Sequence, residues 1–196
     1  MYSTSLTAET LRKNNYDFVI TREPGGTRIS DQIRSILLEP TFTEMTDQAE
    51  VLLYAASRAQ HVHQFIIPAL QQNQIVLCDR FIDASVAYQG YGLGIQPEMV
   101  KQINAFASSS LVPNRTYLLD IPIQISQTRI RNRAKLKSQQ ELDRIEQKSA
   151  EYHEKVRNAF LSLAKLEPNR VLILDGTKDV AKLAHEIWSD FQKIVK

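Results

Sequence analysis

The 196 residues hold a single cysteine, no apolar run near the length of a membrane span, and no excess of either charge. Each shortage closes off a class of protein. One cysteine, Cys78, cannot build a disulfide framework or a multi-cysteine metal site. Its place in the run Ile75-Val76-Leu77-Cys78 marks it for core packing rather than reactivity. Spanning a bilayer takes about 20 apolar residues. No such stretch occurs, and the first residues lack the apolar region of a signal peptide, so the expected compartment is cytoplasmic. With 24 basic against 22 acidic residues the net charge is +2, and there is no global case for nucleic acid or membrane as partner. No repeat, low-complexity tract or long Gly/Ser linker marks a boundary, so one domain over residues 1–196 is expected.

What is present is an alternation of short apolar runs with longer stretches of helical period. The runs 17–21, 75–79, 116–120 and 170–175 are continuous rather than alternating, as in strands covered on both faces, which implies a parallel sheet. Helices are predicted near 4–14, 28–38, 46–71, 97–109, 122–137, 143–166 and 178–195, with Thr46-Asp47, Pro97 and Thr177 as start signals. The class is α/β. In such a sheet the ligand crevice lies beyond the carboxyl ends of the strands, where helix N-termini offer free donors.

Polar residues concentrate at those ends. After the first strand comes Thr21-Arg22-Glu23-Pro24-Gly25-Gly26-Thr27-Arg28, whose paired glycines allow a sharp turn or a close approach to a ligand. An ordinary strand-to-helix turn is the other reading of the glycines. After the second strand, Asp79 offers a carboxylate for Mg²⁺ and Arg80 a fork for phosphate oxygens, although such a pair also serves as a strand-end ion pair. Ser85, Tyr88 and Gln89 recur at helical spacing, so Ser85 and Gln89 share a face suited to a nucleobase or, equally, to a polar surface turn. In the helix 46–71, Leu52, Ala55, Ala56, Ala59, Val62 and Ile66 form the apolar stripe. Tyr54 and Arg58 lie one turn apart beside it, placed either to stack on a base and bond its edge or as a half-buried Tyr with a solvated Arg. His61 and His63 point to different sides, make a poor metal clamp, and are read as surface residues.

Basic residues gather at Arg129, Arg131, Arg133, Lys135 and Lys137. Such a segment could close over nucleotide phosphates, or simply form a solvated helix face. Leu142-Asp143-Arg144-Ile145-Glu146 follows as the polar start of a long helix.

Taken in order, "TREPGGT", "LLYAASRAQH", "IVLCDRF", "DASVAYQGYGLG", "LDRIE" and "LDGT" resemble bacterial thymidylate kinase from residue 3 to the C-terminus. That resemblance implies a P-loop kinase-like three-layer fold, a parallel sheet flanked by helices. It also implies transfer of the ATP γ-phosphate to dTMP with Mg²⁺, and a homodimer formed through helices. By matching positions, Arg58 and Gln89 would bind the thymine edge, Tyr54 would stack on the ring, and Ser85 and Tyr88 would line sugar and base. Glu23, Pro24, Arg34 and Arg80 would surround the monophosphate, and Asp79 would hold magnesium. Residues 128–146 match the lid, where Arg129 and Arg133 would reach the ATP phosphates. Ala84 stands where serine is common and Phe81 where tyrosine is usual.

One departure is larger. Members of that family open with a strand and a G-x-x-x-x-G-K-[ST] loop, whose backbone cradles ATP phosphates and whose lysine neutralises charge. These residues contain no such loop. Counting back from Thr21 puts Ser3 and Thr4 where the motif's last residues would touch ATP phosphates and, at Ser3, magnesium; Tyr2 falls at the lysine. The first, central strand of the sheet is missing with it, which would leave neighbouring backbone groups unpaired. The expectation is an N-terminally truncated kinase that keeps its dTMP-side residues and phosphorylates poorly or not at all. The alternative is a non-catalytic protein that binds dTMP or dimerises.

Overall fold

The computed structural model describes residues 2–136 and 142–195, and the side chains of 7–132 and 142–195. Helix α1, Tyr2–Lys13, leads into strand β1, Phe18–Arg22. Helix α2, Arg28–Leu38, is followed by α3, Asp47–His61, which runs through a π-helical turn, Val62–Ile66, into α4, Ile67–Gln71. Strand β2, Ile75–Asp79, ends in the short α5, Ile82–Ser85, and a second π-helical stretch, Val86–Gly92. There follow α6, Pro97–Ala107; β3, Thr116–Asp120; α7, Ile123–Leu136; α8, Ala150–Leu166; β4, Val171–Asp175; and α9, Val180–Ile194.

All the strand pairing is parallel, and it is divided. β1 pairs with β2, Phe18 opposite Ile75 through Arg22 opposite Asp79, and β3 pairs with β4, Thr116 opposite Val171 through Asp120 opposite Asp175. Among the described residues these form two separate two-stranded sheets rather than one. β2 and β3 therefore each carry one edge without a strand neighbour there. The strands are correspondingly less covered than the continuous apolar runs suggest: every residue of β3 and the first four of β2 are only half-buried.

The helices cover these pairs through two apolar clusters. Val86, Ala87, Val100, Tyr152, Val156, Ala159 and Leu163 pack the second π-helical stretch and α6 against α8. Leu174, Leu183 and Ile187 seat α9 on β4, with Tyr117 and Leu119 of β3 alongside. Tyr16, just past α1, meets Trp188 and Phe191 of α9 edge-on at 6.1 and 5.5 Å.

Several local expectations change for physical reasons. The helix over 46–71 is continuous, but Pro68 lacks the N–H that would close on the Gln64 carbonyl, and the turn before it widens to π. Its buried face is only partly the apolar stripe: Ala55, Val62 and Ile66 are buried, but Leu52 is 59% exposed, and Val51, Arg58 and His61 are buried beside them. Helix α8 begins at Ala150, not 143. Asp143 Oδ1 accepts from the backbone N–H groups of Ile145 and Glu146, forming a turn, and Ser149 supplies the cap. α9 is capped by Asp179, while Thr177 bonds Asp175 instead.

Candidate active site

The turn after β1 explains its own composition. Glu23 N–H donates to the Asp79 carbonyl at 3.0 Å, tying the ends of β1 and β2 together. Gly25 N–H reaches Ser57 Oγ at 3.2 Å. Gly26 has φ of 91°, and a Cβ there would stand 2.6 Å from the His61 ring and from Thr21 Oγ1, so the turn requires glycine.

Glu23 is 4% exposed and its carboxylate is shared. Oε2 accepts from Arg58 Nε at 2.8 Å and Nη2 at 2.7 Å, and Oε1 meets His61 Nδ1 at 3.1 Å. A carboxylate only accepts, so Nδ1 carries the proton and Nε2 accepts from the Thr21 hydroxyl at 2.6 Å. His61 is thus fully buried in this chain of contacts, not a surface residue; His63 is exposed. Helical spacing alone does not show that the face of α3 turned inward is polar.

Arg58 is the centre of the arrangement. It is 2% exposed, and besides Glu23 it donates to Ser85 Oγ at 3.0 Å, to Asn104 Oδ1 and to the Phe81 carbonyl at 3.3 Å, with the Phe81 ring 5.5 Å beneath it. Every nitrogen of the guanidinium therefore meets an acceptor. Asn104 is held in turn by its Nδ2 on the Ile82 carbonyl, 3.3 Å away. One turn before Arg58, the phenol of Tyr54 is pushed up, first by burial and then by the Glu50 carboxylate. Gln89, fully buried, donates from Nε2 to Glu50 Oε1 at 3.0 Å. The other Glu50 oxygen accepts from Arg144 at 2.7 Å. Arg144 also bonds the Leu37 carbonyl, which anchors the segment after 142 onto the end of α2. Tyr88 lies under Arg80, 4.9 Å from its guanidinium, and edge-on to Tyr152 and Phe160.

Beside this network stands a group of cations. Arg34 donates to the Pro24 carbonyl at 2.9 Å, across the cis Glu23-Pro24 bond. Its pKa is lowered by burial, then by Arg22 and, more weakly, Arg80, with Tyr54 and Asp143 acting the other way. Guanidiniums close enough to repel one another form a ready seat for a doubly charged anion. Arg22 is half-engaged, paired with Asp31 at 2.9 Å where both are 45% exposed. Arg80 is exposed, with φ of 69°. Asp79 is exposed at the end of β2, in register with Arg22. Cys78 is half-buried, its thiol donating to the Arg80 carbonyl at 3.0 Å and pushed up by burial.

Contacts thus join Glu23, Arg58 and Ser85, Pro24 and Arg34, Arg80 and Tyr88, and Gln89 and Glu50, with Tyr54 one turn from both Glu50 and Arg58 on α3. Arg129 belongs elsewhere: it is exposed and bonds the Gly176 carbonyl at 3.0 Å, in the loop after β4. There Asp175 accepts from Thr177 N and Oγ1, and these bonds hold its carboxyl below the usual range. The side chains of Ser3, Thr4 and Arg133, and residues 137–141 of the lid segment, lie outside the described residues. Among the described residues no group of three His, Cys, Asp or Glu could hold a metal ion by itself, and no helix is long and apolar enough to cross a membrane.

Sequence reasoning passed over Glu50, His61 and Asn104. A signal existed for the first: Glu50, Tyr54 and Arg58 follow one another at intervals of four, one face of one helix. None existed for Asn104, which reaches Arg58 only through the packing of α6 on α3.

Comparison with known proteins shows the family. The family model described as "Thymidylate kinase" matches residues 3–187. A curated thymidylate kinase of Exiguobacterium sibiricum is 47% identical over 191 residues, 97% of this chain and 87% of that one. One of Syntrophotalea carbinolica is 46% identical over 181 residues, covering 92% and 84%. The crystal structure of thymidylate kinase from Ehrlichia chaffeensis superposes with a TM-score of 0.73 at 28% identity, over 97% of this chain and 89% of that one. With its α/β architecture of parallel strands and helices, this chain belongs to the thymidylate kinase family.

Proposed function

We propose that this chain binds dTMP at the ends of β1 and β2 and serves the transfer of the ATP γ-phosphate to it, giving dTDP. The observation that carries the reading is the contact chain Glu23–Arg58–Ser85, with the Gln89–Glu50 bond between the same two helical segments, next to the Arg22, Arg34 and Arg80 cluster. It sets polar groups able to read a base beside an anion seat. Arg34 and Arg80 take the 5′-phosphate, with Glu23 and Pro24 shaping the turn around it. Tyr54 stacks on the base, and Ser85 and Tyr88 line sugar and base. Arg58 and Gln89 read the thymine edge; for Arg58 the base replaces its longest contact, the 3.3 Å bond to the Phe81 carbonyl.

The family works with ATP and Mg²⁺. The exposed carboxylate of Asp79 would hold a magnesium ion, which would supply neutralisation of phosphate charge. Arg129 and Arg133, with Ser3 and Thr4, form the ATP side, and residues 128–146 act as the lid of a single domain. Leu52 of α3 with Met99 and Phe106 of the adjacent α6 are 59, 51 and 89% exposed, which supports a homodimer through these helices. We place the assembly in the cytoplasm.

The 196 residues contain no G-x-x-x-x-G-K-[ST] loop. Donors aimed at a transferring group contribute several kcal/mol each, so these residues by themselves phosphorylate slowly, by many powers of ten. The second reading is a dTMP-binding protein without catalysis. Calorimetry with dTMP, dCMP and dGMP, beside an assay for ADP release, tests both. Preferential dTMP binding with turnover far below ordinary kinase rates, on the order of 1–100 s⁻¹, is expected. Failure to bind dTMP overturns the substrate, and ordinary turnover by these residues overturns the impairment.

A further inference from the structure

Glu50 has no part in the base contacts proposed above, yet it is 1% exposed and both its oxygens are engaged from opposite sides. Arg144 is permanently charged and pairs with Oε2 at 2.7 Å, so the group facing Gln89 is a carboxylate, which can accept but not donate. The Gln89 carboxamide has one accepting and one donating end. A carboxylate neighbour at 3.0 Å leaves only one orientation in which the bond forms, with Nε2 toward Glu50 and Oε1 turned away. The phenols of Tyr54 and Tyr152 are both pushed up, by burial first and by the Glu50 carboxylate next.

We propose that Glu50 is a positioning residue that sets base specificity: by fixing the Gln89 amide through its nitrogen, it makes the pocket present a carbonyl oxygen to the base. The inference rests on the reading of Gln89 as a base contact. A carbonyl oxygen accepts from a pyrimidine that carries N–H at position 3, as thymine and uracil do. Neutral cytosine carries a lone pair there, so the same oxygen repels it. Selection against cytosine then depends on a residue that never touches the ligand. Arg144 sits at the end of the segment after residue 142 and ties the Glu50 carboxylate to Leu37 at the end of α2. The orientation of the base reader is thereby anchored to the lid end of the chain.

The test is Glu50→Gln, with dTMP and dCMP affinities measured by calorimetry on the same preparation. In that variant Arg144 still takes the oxygen of the residue at 50, so its NH₂ faces Gln89 and the Gln89 carboxamide bonds it only when turned over. The dTMP-over-dCMP affinity ratio is expected to fall roughly tenfold or more, the size of one hydrogen bond to a charged group. A role in packing alone weakens both nucleotides together, so an unchanged ratio overturns the proposal. Should wild type itself show no preference for dTMP over dCMP, the reading of Gln89 fails instead. If the variant does not fold, the wild-type Gln89 carboxamide is followed by nitrogen-15 NMR, its signal assigned from its loss in Gln89→Met. One of its two protons is expected to exchange with water roughly tenfold more slowly than those of exposed glutamines. Equal, fast exchange of both overturns the proposal.

Discussion

Replacing Glu23 with glutamine will cost far more than its isosteric shape suggests. In the native arrangement the Glu23 carboxylate, 4% exposed, compensates a guanidinium that is 2% exposed, and it also receives the His61 proton. The glutamine keeps one accepting oxygen. Its NH₂ must face either Arg58, donor against donor, or His61, whose proton must then move to Nε2, and Arg58 retains its charge with no counter-ion in direct contact. Removing one partner of a buried ion pair typically costs about 3–5 kcal/mol, a large share of the roughly 5–15 kcal/mol that holds a domain together. The internal comparison is Asp31→Asn, which breaks the Arg22 pair where both side chains are 45% exposed. An exposed pair of this kind contributes about 0–1 kcal/mol. Urea unfolding followed by circular dichroism reads both variants, and the difference in midpoints is meaningful when the slope is unchanged. A Glu23→Gln loss no larger than that of Asp31→Asn would refute the view that this buried contact chain holds the site.

Other expectations follow from the same geometry. Arg34→Met should weaken dTMP binding about 10- to 100-fold while leaving thymidine binding nearly unchanged, because the lost charge faces the phosphate; calorimetry with both ligands decides it. Gly26→Ala forces a side chain onto φ of 91° and a Cβ to within 2.6 Å of His61 and Thr21, and should cost about 2–5 kcal/mol in unfolding. Asp190 accepts Arg115 Nε and Nη2 at 2.7 and 2.5 Å, and those bonds, the largest cause, lower its pKa below the usual 3.8. The folded state then binds fewer protons than the unfolded one near that pH, so the stabilisation is present above about pH 4 and is lost as pH falls through the folded value. The stability gap between wild type and Asp190→Asn, measured by thermal unfolding, should therefore be wide at pH 7 and narrow toward pH 3. A gap that does not change with pH would show that the contact contributes nothing through ionisation.

Much was legible in the order of residues. Continuous apolar runs located the strands to within a residue, since a five-residue parallel strand needs little more than an unbroken β-forming segment between turn signals. Thr46 and Pro97 marked helix starts because capping is local chemistry. The start of α8 was misplaced because Asp143, which reads as an ordinary polar helix residue, instead bonds the backbone ahead of it and holds a turn. Polar clusters at the strand ends also marked Glu23 and Arg80, since an open parallel sheet gathers its loops at one end, while helical spacing marked Arg58 and Gln89 and only the family resemblance marked Arg34.

What the sequence determined by itself was therefore the α/β class, the strands and the chemical types at the site, all of which depend on neighbours in the chain. Tertiary structure alone decided that the strands form two pairs, that His61 is buried while Leu52 is exposed, and that Glu50 joins Gln89 to Arg144. Those outcomes join groups 39 and 94 residues apart along the chain. The physical reason is that a buried polar group must find its partner wherever packing brings one, and no periodicity in the sequence records that distance.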